Sequence, residues 1–198
     1  MKTEDYDMLY KKLILYSEIP PKEFEKLVRV SRVCHLKKGE YFQQAGERPN
    51  KFGFVISGIL RLYYTNGSGD EFNKNFCVEN DFVAAYSALL QNRVSRLSIQ
   101  AMEETTLLVI GYKDYLQLFN QHLCWQILGR KIAENLFIKK EEKESQFLLD
   151  SAETRYLKFL KEYPDLEVRI KQYHIASYLG ITPVALSRIR TKLRRKLT

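Results

Sequence analysis

The 198-residue sequence has no apolar run close to the ~18 residues that a membrane-crossing helix requires. Its start, MKTEDYDMLYKKL, is charged throughout and lacks the apolar core of a secretory signal. Cysteine is scarce, and Cys34, Cys77 and Cys124 are odd in number and far apart, which suits neither a disulfide framework nor a Cys-x-x-Cys metal site. Free thiols in a reducing cytoplasm are the expectation. The three histidines, His35, His122 and His174, stand alone with no metal-ligand spacing, so no bound metal or haem is expected. No paired acid and base or cluster of metal ligands appears, which argues against an enzyme. Glu103-Glu104 reads as a solvated turn. Acidic residues are also missing from the end of the chain: none follows Glu167.

What replaces them there is positive charge. Six of the nine residues from Arg188 to Lys196 are Lys or Arg. Residues 151–198 hold eleven basic against four acidic side chains, whereas residues 1–150 hold twenty-one against twenty. Nearly all of the net charge of +8 is thus carried by the final quarter. Such asymmetry marks a polyanion-facing end, and binding through it should weaken steeply with salt.

The spacing within that end is specific. Ile175, Ala176 and Leu179 form the apolar side of a short helix, Ala176 allows a close crossing, and Gly180 supplies the positive φ of a turn. Thr182 is positioned to cap a second helix with Pro183 in its first turn. At ~100° per residue, Leu186, Ile189 and Leu193 fall on one stripe. Opposite lie Val184, Arg188, Thr191 and Arg195, with Ser187 at the edge. A helix, a tight turn and a basic second helix are what insertion into a DNA major groove requires. The competing reading is a terminal hairpin that only packs, with its charges as a solvated face.

Composition elsewhere, 45% hydrophobic and 13% aromatic, supports a packed core. Residues 5–30 read as helical with a break at Pro20-Pro21. From about Val33 to Tyr112 short strands alternate with turns: Glu40–Gln44, Phe54–Ile56, Ile59–Thr65, Glu71–Cys77, Arg96–Ala101 and Leu107–Ile110. Many short strands in so few residues imply a small roll or barrel. Helical periodicity returns from Tyr112 to about Phe147. Within it Trp125, Leu128, Ile132 and Leu136 form one apolar seam, and Leu123, Ile127 and Phe137 a second side. Two apolar sides fit a strut packed on its own barrel and on a partner helix, with packing on the chain's own core as the alternative for the seam. Lys139–Glu144 reads as a solvated face of mixed pairs. Asp150 with Glu153 looks like a capping box that opens a small terminal domain.

This order of helix, β-roll, long helix and helix-turn-helix resembles the Crp/Fnr family of bacterial transcription regulators over the whole chain. The resemblance is most specific at Ile175–Arg190, where I-A-x-x-L-G-I-T-P-x-x-L-S-R-I-R is similar to the family's DNA-reading helices. Looser matches are Lys38-Gly39-Glu40, Gly46-Glu47, Val55-Ile56-Ser57-Gly58 and Asp81-Phe82-Val83. It implies an α+β fold with a cyclic-nucleotide-binding-like double-stranded β-helix, dimerisation through the long helix, an effector-sensing roll and contact with RNA polymerase. Val184, Ser187 and Arg188 match positions that read bases in the family.

The resemblance has gaps. Members that bind cyclic AMP carry Gly-Glu after the Asp-Phe strand and later an Arg-Ser or Arg-Thr pair. Here Ala84-Ala85 follows Asp81-Phe82-Val83, and the later pair is Ser95-Arg96, displaced by one residue, which in a strand turns a side chain to the other face. Cyclic AMP is therefore not expected, and neither is the iron–sulfur cluster of other members, whose N-terminal cysteines are absent. The strand pair that often follows the reading helix is also not expected before Thr198.

The expected organisation is a sensor domain of N-terminal helices and roll over 1–112, a dimerisation helix and linker over 113–149, and a helix-turn-helix domain over 150–198. A homodimer would place the 182–195 helices on a near-palindromic duplex. Val184, Ser187, Arg188 and Thr191 are candidates for base contacts. Gln172, Tyr173, Thr182, Lys192, Arg194 and Arg195 are candidates for phosphate contacts. Trp125, Leu128, Ile132 and Leu136 are candidates for the dimer seam. Tyr86, Arg93, Ser95 and Arg96 are positional candidates for a small-molecule effector pocket. The alternative is a ligand- or protein-binding roll whose terminal domain serves assembly or binds nucleic acid without sequence preference.

Overall fold

Two four-stranded antiparallel sheets lie face to face in the computed structural model, which describes residues 3–195. The basic run seen in the sequence extends to Lys196, which lies outside the described residues. The first sheet has the order β1 (Ser31–Leu36), β8 (Thr105–Gly111), β3 (Lys51–Ser57), β6 (Phe82–Val83). The second has the order β2 (Tyr41–Gln43), β7 (Leu97–Ala101), β4 (Leu60–Thr65), β5 (Glu71–Cys77). Between them Phe42, Val55, Leu60, Leu62, Val83, Leu97, Ile99 and Leu107 form one apolar core.

Each sheet is also partly covered on its outer face. Helices α1 (Thr3–Leu13) and α2 (Pro21–Val30) pack outside the first sheet. They share a second core with Phe54, Leu108 and the start of α5 (Leu123–Leu149). The C-terminal helices lie outside the second sheet. Strand β4 records the arrangement: Leu60 and Leu62 point into the roll, yet Arg61 and Tyr63 are buried as well. A sheet with one wet face would leave them exposed.

The region from Tyr112 onward is two helices rather than one. Helix α4 (Tyr112–Gln121) stops at His122, whose extended backbone breaks the helix and whose Nδ1 accepts from the Cys124 N–H at 3.1 Å, capping α5. The small helix α3 (Tyr86–Leu90) follows β6 and has no counterpart in the sequence reading.

The seam on α5 requires a correction. Trp125 and Leu128 are buried within the chain's own core, and Ile132 packs against it. The Trp125 indole also donates to Glu23 Oε2 at 2.9 Å. Trp125 and Leu128 hold α5 on its own roll and present no surface to a partner, whereas Ile132 is only partly covered and Leu136 is half exposed at 47%. The opposite side of the helix is the open one: Leu123, Phe137, Ile138 and Leu148 are all exposed. The periodicity correctly marked two apolar sides, but periodicity alone does not say which is covered from within.

After Leu149 the chain turns at Asp150 and Ser151 into α6 (Ala152–Glu162). Ser151, not Asp150, is the cap, its hydroxyl accepting from the Thr154 N–H at 3.1 Å. Asp150 instead pairs with Lys158 at 2.7 Å. Helices α7 (Leu166–Arg169), α8 (Gln172–Leu179) and α9 (Pro183–Arg195) complete the described chain.

Candidate nucleic-acid interface

Helices α8 and α9 are built by local rules. Gly180 ends α8 in the left-handed conformation (φ 67°), and the Ile181 N–H donates to Ala176 O at 3.0 Å. A Cβ at Gly180 would sit 2.9 Å from Cε1 of Phe147, so glycine is needed there for space as well as for φ. Thr182 Oγ1 then accepts from the Ala185 N–H at 3.2 Å and caps α9, with Pro183 as its first helical residue.

The two faces of α9 separate cleanly. Leu186 is fully buried, and Ile189 and Leu193 pack against the same apolar cluster as Ile175, Ala176 and Leu179. Opposite them Ser187, Arg188, Thr191, Lys192 and Arg195 line one open concavity. Val184 is exposed at 61%, one turn nearer the helix start. The structure thus brings the base-contact candidates onto a single accessible strip, with Lys192 and Arg195 alongside. Gln172 and Tyr173, at the exposed start of α8, and Thr182 and Arg194 are also on the surface. The Thr182 hydroxyl still has its proton to donate after accepting the cap bond.

Charge on this unit is partly tied down. Lys192 pairs with Glu153 on α6. Arg190 lies 3.7 Å from Glu167, whose other contact is the Tyr156 hydroxyl at 2.6 Å. A phosphate at Lys192 would therefore compete with Glu153, whereas Arg188 faces outward.

The first helix of the pair is engaged differently. Its outer side lies on strand β5, and the contact includes several polar bonds. The Asn73 N–H donates to Ser177 Oγ at 2.9 Å, and Asn73 Nδ2 donates to His174 O at 3.0 Å. Ser177 Oγ in turn donates to Glu71 O at 3.2 Å. His174 is buried here, and loss of hydration with Arg61 nearby brings its pKa down to about 4. Arg61 itself is held by Glu71 and by Gln100.

Two further contacts join the C-terminal helices to the roll. Arg169 on α7 donates to both oxygens of Glu79 (3.0 and 2.7 Å) and also to Glu103. This brings the Glu79 carboxyl down to about 2. Lys143 on α5 donates to Lys74 O and lies 3.5 Å from the centre of the Tyr178 ring. Burial brings its pKa down to about 7 against the opposing pull of Glu162. Sequence reasoning missed these contacts: Glu103 is not merely a solvated turn, and Lys143 leaves the solvated face assigned to 139–144. The hydrogen-bonded partners are 66 to 90 residues apart, and no local pattern announces them.

The effector-pocket candidates do not fare as a unit. Tyr86 packs on Phe52 with ring centres 6.3 Å apart, and Arg93 and Arg96 are exposed. Ser95 is buried, with its hydroxyl donating to Leu97 O and accepting from the Leu97 N–H. Of the histidines, His35 meets Thr106 Oγ1 at 3.1 Å, His122 caps α5 and His174 lies under α8. Among the described residues no group of three or more His, Cys, Asp or Glu could hold a metal ion. Nor is any described helix long and apolar enough to cross a membrane.

Residues 33–122 match the family model of the cyclic nucleotide-binding domain. No curated protein matches the sequence significantly. Solved structures do match across the whole arrangement. FixK2 from Bradyrhizobium japonicum superposes with a TM-score of 0.70 at 17% identity, over 84% of this chain and 86% of that one. The c-di-GMP-responsive global regulator CLP from Xanthomonas campestris gives 0.69 at 15% identity, over 89% and 93%. A putative transcriptional regulator of the Crp/Fnr family from Eubacterium rectale gives 0.70 at 18%, over 90% and 85%. The chain has the Crp/Fnr fold.

Within this fold, positions 85, 95 and 96 offer a cyclic nucleotide no charged group inside the roll. Such a ligand would need a carboxylate for the ribose and a cation for the phosphate inside the roll. Ala85 is buried and carries neither, Arg96 is exposed, and the Ser95 hydroxyl is already committed to Leu97. Val55, Leu62, Leu97 and Ile99 occupy the interior with apolar surface instead.

The burial of His174 yields a pH dependence. Its folded pKa lies below the ordinary 6.5, so the unfolded chain takes up the proton first as pH falls. The contribution of neutral His174 is complete above about pH 6.5 and is lost progressively from there down to about 4. Arg61 and Lys171 oppose protonation and Glu71 favours it. The denaturant midpoint should fall between pH 7 and pH 4.5, and more shallowly in His174→Gln, as followed by tryptophan fluorescence and circular dichroism. Equal slopes for the two proteins would remove His174 from this role.

Proposed function

We propose that this chain is a sequence-specific DNA-binding transcription regulator that acts as a homodimer. The observation that carries the reading is α9: a capped helix with its apolar stripe buried and Val184, Ser187, Arg188 and Thr191 open on the other side. In the major groove a guanidinium can bond guanine O6 and N7 together, and a small apolar side chain can meet a thymine methyl. Arg188 is assigned the first role and Val184 the second. Gln172, Tyr173, Thr182, Lys192, Arg194 and Arg195 are assigned to phosphates, which position the protein without reading sequence.

The dimer is assigned to the outer side of α5. Leu123, Phe137, Ile138 and Leu148 are large apolar side chains exposed along one helix, a surface that a second copy would cover. Two copies related by a two-fold axis would offer two α9 helices to successive major grooves, about 34 Å apart. RNA polymerase is the second partner expected of a regulator with this fold. Any small-molecule effector would be of a class other than cyclic nucleotides.

Arg188→Ala should weaken binding to the preferred duplex by about 1–3 kcal/mol and relax selectivity at one base pair per half-site, as read by competition titrations. Uniform weakening across all sequences would make Arg188 a phosphate contact instead. Phe137→Glu should convert the dimer to a monomer in sedimentation equilibrium while leaving the circular dichroism spectrum intact. A variant that stays dimeric would move the interface elsewhere.

A further inference from the structure

Strand β5 is an edge of its sheet, and an edge strand leaves a row of backbone groups without a ladder partner. Here helix α8 takes up part of that row. Ser177 accepts from the Asn73 N–H and donates to Glu71 O, and Asn73 Nδ2 reaches His174 O. Lower on the same strand the Tyr163 hydroxyl donates to Asn75 Oδ1 at 2.9 Å. Apolar side chains of both bodies, Ile59 and Phe76 from the roll with Ile175 and Leu179 from α8, belong to one cluster. Helix α8 is therefore fixed in register along β5.

The covalent link between the long helix and the reading domain is only Asp150 and Ser151. A link of two residues permits rotation of α6–α9 as a body, so the angle of α9 is set by contacts, Lys143 and Phe147 of α5 on one side and strand β5 on the other. A dimeric reader must nonetheless present its helices one DNA turn apart, and a small rotation near the link moves α9 by several ångströms. We propose that the β5–α8 contact is the ruler of the dimer: it fixes the angle of α9 to the roll and so sets which half-site spacing is bound. Asn73 and Ser177 are positioning residues in this account and touch no base. The inference rests on the dimeric DNA-binding reading above.

The test uses the full chain with Ser177→Val, which removes both hydroxyl bonds, and Ser177→Thr, which keeps a hydroxyl. Arg169→Gln weakens the separate latch to Glu79 and serves as a second, milder variant should Ser177→Val fold poorly. Hydrogen exchange without DNA should accelerate in segments 71–77 and 172–179 for Ser177→Val, with β3 and β8 unchanged, and return towards wild type in Ser177→Thr. Affinity for a single half-site should stay within about twofold. Affinity for the best-spaced palindrome should fall about tenfold, the loss of roughly one net hydrogen bond per protomer, so that duplexes lengthened or shortened by one base pair are discriminated less sharply. Unchanged exchange would overturn the docking. Accelerated exchange with unchanged spacing selectivity, in Ser177→Val or in Arg169→Gln, would overturn the ruler. Wild-type protein that prefers no duplex at all would instead refute the DNA-binding reading, and the ruler with it, while the exchange result would still report the docking.

Discussion

The open edge of β5 is the constraint around which the molecule is organised. A closed barrel would have satisfied its own backbone, but this roll ends one sheet in a strand with groups still to be paired. The side chains that pair several of them come from α8 and α5, so the sheet edge and the C-terminal helices complete one another. The burial of Arg61, Asn73 and His174 follows, because each is trapped where the two bodies meet. These polar groups are tolerated there because Asn73 bonds His174 and Ser177 across the contact, while Arg61 is held within the roll by Glu71 and Gln100.

Layering explains the rest. Helices, sheet, sheet and helices stack in that order, and α5 runs along the stack from the first layer to the last. Near its start Trp125 anchors it to the N-terminal helices through Glu23. Twenty residues later Lys143 and Phe147 meet the C-terminal helices, Phe147 filling the space that Gly180 leaves. The same helix keeps an apolar outer side open. One element thus carries both the internal brace and the surface assigned to the second copy, and their separation by half a helical turn lets the two coexist.

Legibility in the sequence tracked how local each interaction is. Helix α9 was legible almost residue by residue, since Thr182, Pro183, Leu186 and Ile189 act through turns and caps a few positions apart. The roll was legible as a class, from the density of short strands, but β1 and α3 were not marked and the break at His122 was hidden inside a continuous helical period. The α5 seam was legible as a period, but its first half, Trp125 and Leu128, is covered by the chain's own core, because a period says which side is apolar and not what covers it. Asn73, Ser177 and Arg169 carried no signal at all. Each is an ordinary polar residue until the fold brings a partner from about a hundred positions away.

The central claim is that two copies of this chain read DNA with α9. Selection of bound duplexes from a random pool, at low and at moderate salt, tests it most directly. The account predicts enrichment of a two-fold symmetric motif with half-sites one helical turn apart, retained at the higher salt while non-specific duplexes are lost. Retention at low salt only, with no motif enriched, would contradict it and leave the basic helix as a surface for polyanions in general.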